Sequence, residues 1–123
     1  AAVRRLQQGV AEAHAVLIAS PEYAHGISGV MKNALDWLVS FEPFCGKAVA
    51  IFNASPRAHH ALDALREVLN TMSARIIEPA CITLPLLGSG ISMQSLAENQ
   101  AIANTIQDAL TALLQAVRDT TPA

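Results

Sequence analysis

Cysteine is nearly missing from this sequence: Cys45 and Cys81 are the only two in 123 residues. They stand far apart and lack metal-ligand spacing, so neither a disulfide framework nor a zinc module is encoded, and reduced thiols are expected. Charge is also sparse, at 15% of residues, with a formal net charge of −2 and a pI near 6.0. There is no basic block and no patterned basic helix, which argues against nucleic acid and anionic membrane as partners. No apolar run approaches the roughly 18 residues of a membrane span. No leader-like segment opens the sequence, so a cytoplasmic location is expected. Internal repeats and low-complexity tracts are missing as well.

Apolar residues are plentiful instead. They make up 52% of the chain, and mean hydropathy is +0.34. That is high for a soluble monomer and points to surface covered by another subunit or by further chain. The length suits one domain, which can bury roughly two-thirds of its unfolded surface without disulfides or metal.

The apolar residues fall into alternating patterns. Val3, Leu6, Val10 and Ala13 have helical spacing, whereas Ala15 to Ala19 is a short unbroken run of the kind that marks a strand covered on both faces. A second helix follows, with Val30, Ala34, Trp37, Leu38 and Phe41 read as one face and Lys32, Asn33, Asp36 and Ser40 elsewhere. Ala48 to Phe52 repeats the buried-strand pattern. The next helix turns Leu62, Leu65, Leu69 and Met72 inward and Asp63, Arg66, Glu67 and Asn70 outward. "ARIIEPACITLP" reads as a third strand region broken at Pro79. Ser95 and Glu98 have capping-box spacing ahead of a final helix striped by Ile102, Ile106, Ala109, Leu113 and Val117. Buried strands alternating with helices predict an α/β fold, a parallel sheet with helices on both faces and right-handed crossovers.

In such a sheet, ligands bind beyond the carboxyl ends of the strands. Two unusual loops leave strands at that end, Ser20 to Ser28 and Asn53 to His60. Each leads into a helix, so backbone N–H groups can converge on one crevice. Gly26 and Gly29 permit a sharp turn and close ligand approach, and Tyr23 offers a flat ring with a polar tip. The pair suits a planar, hydrogen-bonding heterocycle.

The stretch "SPEYAHGISGVMKNALDWLVS" closely resembles the NAD(P)H-dependent FMN reductases, whose hallmark is a Pro-Glu-Tyr turn, then a glycine, then a Lys-Asn-Ala-[Leu/Ile]-Asp-Trp helix. "GKAVAIFNASPRAHHALDALREVLNTMSARI" is similar to that family's next strand, flavin-facing loop and helix. The resemblance implies a flavodoxin-like, three-layer, doubly wound fold, here in its later strands. It implies FMN as cofactor, NAD(P)H as electron donor, and a quinone, azo compound, metal oxyanion or free flavin as acceptor. A homodimer or homotetramer with flavin sites near the subunit interface is also implied. Carried over residue by residue, Pro21, Glu22, Tyr23, Ala24, His25 and Gly26 would lie along the isoalloxazine ring, and Ser55, Pro56 and Arg57 would flank its pyrimidine side. Many members have Asn after the Tyr, where this chain has Ala24-His25. The family also opens with a strand, a phosphate loop, a helix and a second strand that are not found here. Residues 1–123 are therefore expected to form an N-terminally incomplete FMN reductase domain, with Ala15 to Ala19 as an exposed edge strand.

Each of these residues has a plainer reading. Tyr23 could be an ordinary loop aromatic, His25 a solvated side chain rather than a contact to substrate or nicotinamide, and Arg57 a surface arginine. His59 and His60 lack further ligands except Asp63 and read as solvated rather than metal-binding. Lys32 and Asp36, four apart in the weaker order for an ion pair, read as structural or interface residues. Trp37 reads as an anchor of the core or of a subunit interface. Glu22 could act as a base, although flavin chemistry needs none. Ser20, Ser28 and Ser55 show no triad or nucleophile-elbow pattern. The alternative to an enzyme is a flavin-free scaffold piece or a degenerate paralogue.

Overall fold

The structure is a computed structural model, and it describes residues 1–19, 22–23, 26–53, 59–84 and 98–120. Its regular elements are α1 (Ala2–Glu12), β1 (Ala15–Ala19), β2 (Glu22–Tyr23), β3 (Gly26–Ile27), α2 (Gly29–Asp36), β4 (Ala48–Asn53), α3 (His59–Thr71), β5 (Arg75–Ile76), β6 (Ile82–Thr83) and α4 (Gln100–Thr120). The unbroken apolar runs form the centre. β4 pairs in parallel with β1 along its whole length, from Ala15↔Ala48 to Ala19↔Phe52. On its other side β4 takes β5 at Ala48–Val49 and β6 at Phe52–Asn53, both in parallel. The third strand region is thus two short pieces separated by a 3₁₀ turn, Glu78–Ala80, that contains Pro79. Proline cannot donate to a ladder, so the break falls where the sequence put it.

Alternation along β4 divides the core in two. Val49 and Ile51 face a cluster with Val10 and Ile18, Leu35 and Leu38, and Leu65 and Leu69, drawn from α1, β1, α2 with the turn after it, and α3. Ala48 and Ala50 face Ile77, Ala80 and Leu113, under α4. Helices therefore cover both faces of a parallel sheet, which is why β4 carries no polar alternation. β1 is the outer strand among the described residues, and Leu17 on its α4 side is 41% exposed. No helix among the described residues is long and apolar enough to cross a membrane.

The face read for α2 is corrected by the structure. Leu35 and Leu38 are buried and Met31 and Phe41 pack partly against the core, but Val30 is 84% and Trp37 49% exposed. The helix has two apolar stripes about 100° apart, and the Met31–Leu35 stripe is the one turned to the sheet. The Ser28 Oγ caps α2 by accepting the Met31 N–H at 3.1 Å, which gives this serine a structural duty. Ser95 lies outside the described residues, and the described cap of α4 is Asn99, whose Oδ1 accepts the Ile102 N–H at 3.0 Å.

α3 ends in a Schellman motif: the Ala74 N–H donates to the Leu69 carbonyl at 3.0 Å and the Ser73 N–H to the Asn70 carbonyl at 3.1 Å. Ser73 takes φ 62° there, and its own carbonyl accepts the N–H of Gly46, at φ 78°. The Ser73 side chain is exposed, so little is lost by removing it. Ser73→Gly is expected to raise stability by about 0.5–1 kcal/mol in urea unfolding, whereas a β-branched residue at this position lowers it.

Candidate functional site

The parallel register brings the carboxyl ends of three strands to one rim. Ala19 stands beside Phe52, and Asn53 beside Thr83. The Leu84 N–H donates to the Asn53 carbonyl at 2.7 Å, extending the third strand to the same edge. The first unusual loop is more regular than its sequence suggests. Its described residues form a two-stranded antiparallel hairpin, with Glu22 opposite Ile27 and Tyr23 opposite Gly26. That hairpin lies against α3, the helix that follows the second unusual loop.

Glu22, Tyr23 and Gly26 are placed there as backbone elements. Pro21, Ala24, His25, Ser55, Pro56 and Arg57 lie outside the described residues. His59 opens α3 and His60 is exposed in its first turn. Among the described residues, no group of three or more His, Cys, Asp and Glu side chains could hold a metal ion. Asn53 stands in the sequence only as the boundary of a loop. It is 8% exposed and is the buried polar residue at the end of an otherwise apolar strand. The signal was available: an amide closing the run "AVAIFN" must find partners, and burial at a strand end places them at the rim.

Two cavities lie away from this rim. One, of about 380 Å³, is at the opposite ends of the strands beside His14, Lys47 and Arg75. The other, of about 360 Å³, lies between α1 and β1 along Leu6, Gly9 and Val16. The charged pair nearest the strand break, Arg66 with Glu78, is structural. Its hydrogen bond to Glu78 holds the Arg66 guanidinium above the ordinary arginine range, so this charge persists at every working pH. The pair is largely solvent-exposed on the Glu78 side, and Glu78→Gln is expected to shift stability by less than about 1 kcal/mol.

The model of the NADPH-dependent FMN reductase family matches residues 1–86. The chain belongs to that family. An NAD(P)H-dependent FMN reductase of Pseudomonas aeruginosa is 45% identical over 56 residues, 44% of this chain and 30% of the relative. A quinone reductase of Escherichia coli is 39% identical over 57 residues, 45% of this chain and 30% of the relative. The matched stretch thus spans about a third of the length of these curated relatives. The fold agrees with that of FerB, a flavoenzyme NAD(P)H:(acceptor) oxidoreductase from Paracoccus denitrificans, at a TM-score of 0.73 and 22% identity, over 95% of this chain and 68% of FerB.

The backbone at this rim suits the flat ring of FMN, the flavin of this family. A hairpin set against a helix beyond the strand ends gives a planar ring backbone donors and acceptors to lie along.

Proposed function

We propose that this FMN-reductase-family chain is the flavin-ring half of an FMN-dependent oxidoreductase that takes electrons from NAD(P)H and delivers them to a small acceptor. The observation that carries the reading is the meeting of the β2–β3 hairpin with α3 at the carboxyl rim of the sheet, in a chain of this family. Bound FMN supplies the redox chemistry, accepting a hydride and passing the electrons on. The chain's own residues bind and orient it. Backbone groups of Pro21 to Gly26 serve the polar edge of the ring, Tyr23 shapes its pocket, and Ser55, Pro56 and Arg57 flank the pyrimidine side. Glu22 needs no role as a base, so no side chain is assigned a catalytic step.

A quinone is the acceptor favoured by the E. coli relative's name, with azo compounds, metal oxyanions and free flavin as further members of the same class. The working form is read as a homodimer or homotetramer in the cytoplasm. A flavin-free scaffold is the second reading.

Turnover separates the two. The product of the whole reading frame, with FMN added, is expected to oxidise NADH or NADPH when a simple benzoquinone is supplied. Oxidation no faster than with free FMN alone would overturn the reductase reading and leave the scaffold.

A further inference from the structure

The cavity at the amino ends of the strands gathers basic side chains that the flavin reading does not use. His14 immediately precedes β1, Lys47 precedes β4, and Arg75 opens β5. The parallel register sets Ala15 beside Ala48 and Ala48 beside Arg75, so the three basic residues come to one edge of the sheet. All three line the cavity of about 380 Å³, together with Cys45 and Glu12. Backbone bonds fix this edge: the Arg75 N–H donates to the Lys47 carbonyl at 2.9 Å, and the Gly46 N–H to the Ser73 carbonyl at 2.8 Å.

Lys47 is half-buried, and its Nζ donates to the Ala13 carbonyl at 2.6 Å. That contact answers the carboxyl end of α1 and uses one of the three ammonium donors. Glu12 is the carboxylate on the cavity wall, and its Oε1 accepts the Gln8 Nε2–H at 3.1 Å along α1. Among the described residues, the Lys47 ammonium is therefore met by a carbonyl and not by a carboxylate. A charge withdrawn from water calls for a counter-charge.

We propose that this cavity is a second ligand site, one that takes a phosphate group, free or carried by a small organic molecule. Lys47 brings a point charge and two further N–H donors, and Arg75 a planar fork that matches oxyanion oxygens. The volume falls within the roughly 300–1,000 Å³ of small-molecule sites, which leaves room for an organic remainder. The cavity and the hairpin stand at opposite ends of the strands, so the proposal does not rest on the flavin reading.

The probes are inorganic phosphate and glycerol 3-phosphate, each titrated into the product of the whole reading frame at constant ionic strength. The readout is local, because Cys45 is an exposed thiol on the cavity wall. Either probe is expected to slow alkylation of Cys45 by iodoacetamide at least fivefold, saturably, in peptide mass mapping with Cys81 as internal reference. Chloride at the same ionic strength is expected to give no protection. Lys47→Gln removes the charge and keeps an N–H for the Ala13 carbonyl, so the fold should hold. It and Arg75→Gln are each expected to weaken phosphate protection at least tenfold with unchanged circular dichroism. Lys32→Gln, at an exposed ion pair on α2, should leave it unaltered. Protection by glycerol 3-phosphate at a tenfold lower concentration than phosphate assigns the site to a phosphorylated small molecule, and equal protection assigns it to the free ion. No protection by either probe, or protection that survives both substitutions, would overturn the proposal. Either result can occur with FMN turnover intact, so the two readings fail separately.

Discussion

Leu69→Ala is expected to cost about 2–5 kcal/mol, a large share of the roughly 5–15 kcal/mol that holds a domain of this size. Leu69 is 0% exposed and packs with Leu65, Met72, Val49 and Ile51 between α3 and the sheet. Alanine is the best helix former, so the substitution leaves the propensity of α3 intact and removes only packing. The cavity left behind adds to the lost transfer energy because the neighbouring strand cannot collapse into it. Thermal unfolding should show a midpoint lower by about 10 °C or more. Leu114, 49% exposed on α4, supplies the contrast: Leu114→Ala should cost less than about 0.5 kcal/mol. Equal losses at the two positions would mean that α3 is not packed on β4 as described.

Tyr23→Ala should weaken FMN binding by about tenfold to a hundredfold, since an aromatic platform under a planar heterocycle contributes roughly 1–3 kcal/mol. Tyr23→Phe keeps the ring and loses only the hydroxyl, so it should retain most of the affinity. Tyr23 pairs through its backbone with Gly26 in a two-residue strand, so the substitution should leave the urea midpoint close to that of wild type. Fluorescence titration of FMN against both variants reads this directly. Equal affinity in wild type and Tyr23→Ala would remove Tyr23 from the pocket.

Much of the fold was legible because burial on both faces leaves an unmistakable mark. Ala15 to Ala19 and Ala48 to Phe52 have no polar alternation, and both are strands of the parallel sheet. The stripes of α3 and α4 point to the sheet as their spacing predicted, with Leu65, Leu69, Ala109 and Leu113 buried. α2 misleads for a specific reason. Its eight residues carry two apolar stripes, and nothing local says which of them the sheet takes and which is left for another surface. The β2–β3 hairpin looks like a loop in the sequence because two-residue strands are too short to show a period. Family resemblance, more than pattern, picked out Pro21 to Gly26 and Ser55 to Arg57. A flavin-facing backbone has no compositional signature of its own, since its hydrogen bonds come from N–H and C=O groups that every residue carries. Asn53 was legible in principle, as the one amide at the end of a buried run.

The central claim is that the hairpin after β1, set against α3, holds FMN. Its most direct test is a titration of FMN followed by quenching of flavin fluorescence. The titration is run on the product of the whole reading frame and on the same protein with residues 21–26 replaced by glycine and serine. Saturable quenching at one FMN per chain, lost in the exchanged protein while its circular dichroism is retained, is the predicted result. Quenching that never saturates in the unaltered protein, or that survives the exchange unchanged, would contradict it.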